Sequence, residues 1–274
     1  MSPNILITGA AGYIRGSIIA DLLSEYLEIT KNQVFAAVIT DEQAEALSTL
    51  GVNILKLDLS DEQTVTNEIS SHKISVIVHA ANSINPGLAL PLINDLGKQK
   101  KAAGKPTDFT HTSGLSAFYA NSGWPQTINK DTDAVFETEK EFADSYPVRK
   151  YKTDVMVIEH AQTQGVTPFV VVPSIVCLTQ ASLKLGKVYK FDENICRIIQ
   201  AALHNEEIPS GKNGYYFAVA HDIDMWDFQD HPATAMKARG LVSSDTPDVY
   251  PSDEFAAEAI DVPVEFLEAL YKSG

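Results

Sequence analysis

The chain has 274 residues, 45% hydrophobic and 21% charged, with a formal net charge of −15. That length holds one large α/β domain plus a smaller lobe, and the composition is that of a folded globular chain. So acidic a balance excludes a broad surface for nucleic acid or an anionic membrane, because phosphate binding needs clustered Lys and Arg, but one anionic ligand held by backbone amides stays compatible.

Asn4-Ile5-Leu6-Ile7-Thr8 is a short apolar run that ends in a glycine turn, as a buried parallel strand does. Residues 17–28 then place Ile18, Ile19, Leu22, Leu23 and Tyr26 at helical spacing. A second strand is expected over 34–39 and a helix over 41–50; a third strand over 53–57 precedes a helix opened by Ser60-Asp61-Glu62. The fourth strand, 76–79, ends in the small residues Ala80 and Ala81. A helix over 88–103, a strand over 109–111, a loop through Trp124 and Pro125, a helix over 147–164 and a strand over 169–172 stopped by Pro173 complete the series. Alternation sustained this long predicts a Rossmann-type, doubly wound parallel sheet with helices on both faces.

Past residue 180 the pattern weakens to a short strand and helix over 188–203, a strand over 215–219 and a helix over 254–272 interrupted at Pro263. The expected organisation is therefore a Rossmann domain over 1–180 and a small, trimmed C-terminal substrate lobe over 181–274. Two cysteines, Cys177 and Cys196, are too sparse for a disulfide framework, and neither has a Cys or His partner at metal-ligand spacing. Reduced thiols and no metal are expected. No window approaches the ~20 apolar residues of a membrane span. Met1-Ser2-Pro3-Asn4 leads into the first strand without a basic, apolar leader. A cytoplasmic protein with a small-molecule substrate is the expectation, with neither nucleic acid nor membrane as partner.

The first strand continues into Thr8-Gly9-Ala10-Ala11-Gly12-Tyr13-Ile14-Arg15-Gly16. Gly9 allows a tight turn, Gly12 lets the backbone approach a pyrophosphate, and the next helix points free N–H groups at that anion. Between the first strand and first helix of an α/β chain, such a turn signals a dinucleotide site.

Here the chain resembles the extended and atypical short-chain dehydrogenase/reductases, and within them the NmrA-like, fungal-type members, whose fingerprint is T-G-x-x-G-x-x-G. Thr8, Gly9, Gly12, Tyr13 and Ile14 keep the pattern, and Arg15 replaces the third glycine. Leu57-Asp58-Leu59 looks like the adenine contact, and His79-Ala80-Ala81-Asn82 like the segment lying against the cofactor. The resemblance thus implies NAD or NADP. Carboxylates after the second strand favour a free ribose 2′-hydroxyl, and Asp41-Glu42 lean the choice to NAD; Arg15 is the residue able to reverse it.

The same resemblance implies a catalytic Tyr with a Lys four residues on, one helical turn away, where the Lys charge lowers the phenol pKa and the Lys also binds the nicotinamide ribose. Tyr146 and Lys150 have that spacing, and Tyr146 stands 27 positions before Pro173, as in relatives. A rival register through Tyr151 puts Val155 where the Lys belongs. Ser113 is the expected substrate-orienting hydroxyl, with Thr112 and Ser116 as competitors. His79 and His111, at strand ends, are readable as proton donors or as satisfied core histidines; Phe118, Tyr119 and Trp124 as substrate-stacking or core aromatics.

The resemblance covers residues 4–230 and implies one of three functions. The leading one is an oxidoreductase acting on a small organic carbonyl or alcohol. The others are a non-catalytic dinucleotide sensor and a repurposed fold doing non-redox isomerisation or cyclisation. Relatives also commonly form homodimers through exposed helices.

Overall fold

The computed structural model describes residues 3–11, 13–26, 29–114, 124, 130–142, 150–173, 191–218, 225–247 and 249–259, with 263, 264 and 267. In chain order these form β1 (Asn4–Thr8), α1 (Tyr13–Glu25), β2 (Val34–Val38), α2 (Asp41–Ser48), β3 (Asn53–Lys56), α3 (Glu62–Ser71) and β4 (Ile74–His79). Then follow α4 (Pro86–Ala103), β5 (Asp108–Thr112), α5 (Val135–Phe142), α6 (Lys150–Gln164), β6 (Thr167–Pro173), α7 (Phe191–His204) and β7 (Tyr215–Ala218). The last two helices are α8 (Met225–Ala238) and α9 (Asp253–Ala259).

The seven strands make one sheet in the order β3-β2-β1-β4-β5-β6-β7, every pairing parallel. Period-2 alternation sends Ile5, Ile7, Val34, Ala36, Val38, Val76 and Val78 to one face, against Ile18, Ile19 and Leu22 of α1 and Ile195, Ile198 and Ile199 of α7. Leu6, Phe35, Ala37, Ile77 and Phe109 point to the other, against Val65 and Ile69 of α3, Leu92, Ile93 and Leu96 of α4, and Val157 and Ala161 of α6. Two apolar layers on one sheet are the doubly wound Rossmann-type fold expected from the sequence. The connection out of β1 leads to one face and that out of β4 to the other, so the sheet has its switch point, and its ligand crevice, at the β1/β4 seam.

Helix boundaries follow local chemistry. The Thr40 hydroxyl caps α2 by accepting from the Gln43 N–H, and the Asp61 carboxylate caps α3 through Thr64. The Asn85 side chain caps α4, Pro86 fills its first position, and Gly104 ends it at φ +66°. Two helices were not expected from the sequence: α8, for which no element was read, and α5, which lies where a loop was read. Its buried face is Val135, Phe136 and Glu139, and a buried glutamate hides the apolar stripe that would have announced it.

The chain separates into two compact units, 1–218 and 219–274. The Rossmann unit therefore runs past the expected boundary at 180, because α7 covers the sheet and β7 extends it by pairing with β6. Within the second unit, α8 and α9 are the described helices; the helix expected over 254–272 is described as Asp253–Ala259. The short strand expected at 188 lies outside the described residues. Among the described residues no helix is long and apolar enough to cross a membrane.

Asp108 opens β5 at the end of the sheet away from the strand C-termini. Burial raises its carboxyl to about 6, partly offset by a hydrogen bond from Thr167 and the charge of Lys100. A carboxyl raised above its unfolded value favours folding while protonated, and that contribution is lost as pH rises from about 4 through about 6. We expect Asp108→Asn to be more stable than wild type at pH 7.5, by on the order of 2–3 kcal/mol, and to lose this advantage at pH 4. Melting curves across that range check it.

Candidate functional site at the carboxyl edge of the sheet

The parallel register sets Thr8 of β1 beside His79 of β4, and His79 beside His111 of β5. All three are fully buried. The Thr8 Oγ1 lies 3.0 Å from His79 Nδ1 and accepts a 3.3 Å hydrogen bond from the Ala80 N–H, tying the seam shut beneath the crevice. The His79 ring stacks on His111 at 5.8 Å between centroids and 15° between planes, and on Phe109 at 5.9 Å. Both histidines are thus core residues of the strand ends.

Above Thr8 the chain turns through Gly9, whose φ of +67° is one that side-chain-bearing residues resist. The Ala10 N–H donates to Ala37 O, pinning the turn to β2. Helix α1 begins at Tyr13 and carries no acidic residue in its first turn, so its N-terminal end offers a positive dipole without a competing carboxylate. A Cβ added at Gly16 would stand 3.9 Å from Ala10 O, ordinary contact; Gly16 is not a close-packing glycine standing in for the one Arg15 replaces. Gly12 lies outside the described residues, as do the side chains of Tyr13, Ile14 and Arg15.

Past β4, Ala80 is buried and Ala81 half-buried. Asn82 Oδ1 accepts from the N–H groups of Ile84 and Asn85, both at 2.8 Å, and so shapes the entry to α4. This floor of small residues, with the left-handed Gly9 and the bare α1 terminus, fits a dinucleotide. Just after β3, Asp58 is exposed and its Oδ1 accepts from Ser60 N at 2.9 Å and Ser60 Oγ at 2.7 Å, which lowers its pKa. Carboxylate lone pairs remain for another donor. Leu59 is half-buried against the α3/α4 layer. Asp41 is paired with Lys56 at 2.7 Å on the surface, a cation absent from the sequence argument that offsets the local charge behind the lean to NAD. Ile39, 68% exposed, is the residue immediately after β2.

On the β5 side, Ser113 continues the strand by donating its N–H to Val171 O at 2.9 Å. Its buried hydroxyl donates to Asp154 Oδ2 at 2.5 Å. Asp154 stands four residues after Lys150 on α6, one turn on the same face. Sequence reasoning missed Asp154, and a carboxylate at that helical spacing from the expected Lys was the available signal. Lys150 opens α6, its side chain outside the described set. Tyr146, Ser116, Phe118, Tyr119 and Cys177 also lie outside the described residues. Trp124 is buried and belongs to the core; Thr112 is half-buried, and Pro173 closes β6 beside Ala218. Cys196 is a buried free thiol on α7.

The family model for the NAD dependent epimerase/dehydratase family matches residues 5–182. The chain belongs to this family. Solved structures share the epimerase/dehydratase chain's fold at low identity. A dTDP-glucose 4,6-dehydratase from Bacillus anthracis, in complex with NAD, is 13% identical, with a TM-score of 0.57 over 99% of this chain and 98% of that one. An NADPH-dependent quinone oxidoreductase from Escherichia coli is 16% identical, with a TM-score of 0.56 over 98% and 87%. The Bordetella bronchiseptica enzyme WbmH, in complex with NAD+, is 14% identical, with a TM-score of 0.55 over 91% and 85%. No curated protein sequence matches the chain. These findings support the dehydrogenase/reductase superfamily named from the sequence, not its NmrA-like branch.

Within this family member, removing the Ser113 hydroxyl leaves a buried carboxylate oxygen without its donor. Ser113→Ala is expected to cost about 1–3 kcal/mol, read as a lower urea midpoint at unchanged slope.

Proposed function

We propose that the chain is an NAD(P)-dependent oxidoreductase of the short-chain dehydrogenase/reductase type, acting on a small organic carbonyl or alcohol. The observation that carries this reading is the seam itself: left-handed Gly9 leads from β1 to an acid-free helix terminus, beside the small residues Ala80 and Ala81. The pyrophosphate then lies against Gly9, Gly12 and the first turn of α1, with Tyr13, Ile14 and Arg15 around it. Asp58 and Leu59 border the adenine, Asp41 the ribose, and Pro173 the nicotinamide end, while Thr8 and His79 hold the floor. That relatives of this fold were crystallised with NAD or NADPH supports both forms as candidates.

When bound, the nicotinamide supplies the carbon that gives or takes hydride. The chain's own part is proton chemistry. Tyr146 gives or takes the proton at its phenol oxygen, Lys150 one turn on favours the phenolate and binds the ribose, and Ser113 orients the substrate oxygen. One observation favours a second reading, a dinucleotide-binding protein without hydride transfer: the only proton of the Ser113 hydroxyl is already given to Asp154.

Calorimetric titration with NAD+, NADH, NADP+ and NADPH tests the first step. Tight binding of one oxidation pair is expected, and Gly12→Val should abolish it by blocking the pyrophosphate path; absence of binding to all four overturns the reading. Tyr146→Phe separates the two functions. It should lower turnover in a carbonyl screen by about a hundredfold or more with dinucleotide affinity retained, whereas unchanged turnover removes Tyr146 from the chemistry.

A further inference from the structure

Below the carboxyl edge, four elements meet at two buried carboxyl groups. Glu139 of α5 and Asp154 of α6 are both wholly inaccessible to solvent. The Tyr215 hydroxyl of β7 donates to Glu139 Oε2, and the Ser113 hydroxyl after β5 donates to Asp154 Oδ2. Each carboxyl thus has one oxygen served by a hydroxyl. The other two, Glu139 Oε1 and Asp154 Oδ1, find no donor among the described residues. His111 Nε2 stands 3.1 Å from Asp154 Oδ1 but outside hydrogen-bond geometry.

We propose that Glu139 and Asp154 form a proton-held lock: one proton shared between the two carboxyls clamps α5 to α6 and the sheet, and losing it releases α5. A side-chain hydrogen bond joins Glu139 to Asp154, so one proton held between the two carboxyls offsets their burial, whereas two adjacent buried anions would repel one another. Among the described residues the surroundings supply little compensation. The described groups around the pair are His111 of β5 and Ser113 just after it, Tyr215 of β7, and Glu137 of α5, which acts on Tyr215. Of the nearby lysines, Lys140 is spent on Glu159 at the surface, and Lys212, from the turn at Gly211–Asn213, lies 4.9 Å over the Phe136 ring. Accordingly the Glu139 carboxyl is pushed well above the usual range, first by burial and then by the charge of Asp154, and Tyr215 is pushed up with it.

The sign follows. A carboxyl raised in the folded state contributes stability while protonated, and that contribution disappears as pH climbs through its folded value. Because the lock joins α5 to the elements carrying Ser113 and Lys150, its opening loosens one flank of the proposed site.

The test is amide hydrogen exchange of residues 135–142 in the full chain between pH 5 and pH 10, expressed as protection factors. Wild type is expected to lose about tenfold or more in protection of this helix as pH rises, with α4 unchanged. Glu139→Gln keeps an acceptor for Tyr215 and places a permanent N–H toward Asp154, so its helix should stay protected throughout. A local readout separates this lock from Asp108, which sits at the far end of β5. Constant protection of wild-type α5 across the range overturns the proposal. So does an equal loss in Glu139→Gln, and if that variant does not fold, an unaltered pH dependence in Asp154→Asn does the same.

Discussion

The hydrogen-bonded seam between Thr8 and His79 is the constraint on which the rest of the site depends. A parallel sheet needs helices on both faces, and the winding must change direction somewhere. Here it changes between β1 and β4, where two polar side chains meet under zero solvent exposure. Their mutual contact removes the cost of burying each alone. With the seam closed, Gly9 and Ala80 lie at the same level, and the gap above them is shaped by backbone and methyl groups. The crevice follows from the winding; the chemistry at its floor follows from which residues end the strands.

The polar residues beneath this edge continue sideways, from Thr8 to His79, His111, Asp154, Glu139 and Tyr215, with contacts passing from strand to strand and then into two helices. Such a run is expensive in a core and stable only if its members satisfy one another. It divides the molecule's electrostatics in two. The many surface acids that give the net charge are solvated, while Asp154 and Glu139 depend on the hydroxyls of Ser113 and Tyr215 and on each other. No formal cation is buried among them in the described residues.

The legible part of the molecule was whatever rests on periodicity. Strands β1, β2, β4 and β6 read as apolar runs because both their faces are covered, and α1 and α4 read at helical spacing because one stripe meets the sheet. The glycine turn was legible because Gly9 needs a positive φ that few residues tolerate. What escaped were features that spacing does not encode. Helix α5 buries Glu139 where an apolar residue would mark the stripe. The role of Asp154 depends on a hydroxyl 41 positions earlier in the chain, and that of Lys56 on an aspartate 15 positions away. The strand at 215–219 was legible, but the end of the Rossmann unit was placed too early because nothing in the four residues of β7 shows that they pair with β6 and extend the sheet.

The two borders of the sheet carry a consequence for assembly. Strand β3 on one side and β7 on the other are each four residues long, and β3 finishes in exposed Lys56. Unpaired backbone along a sheet margin is an open template for another chain, and short margins with a charged terminus are how folded proteins close that template. Among the described residues, then, a second copy finds too little free ladder to prolong the sheet across a common axis. Any stable pairing of two such chains is left to side-chain surfaces, where its strength depends on shape and not on strand addition.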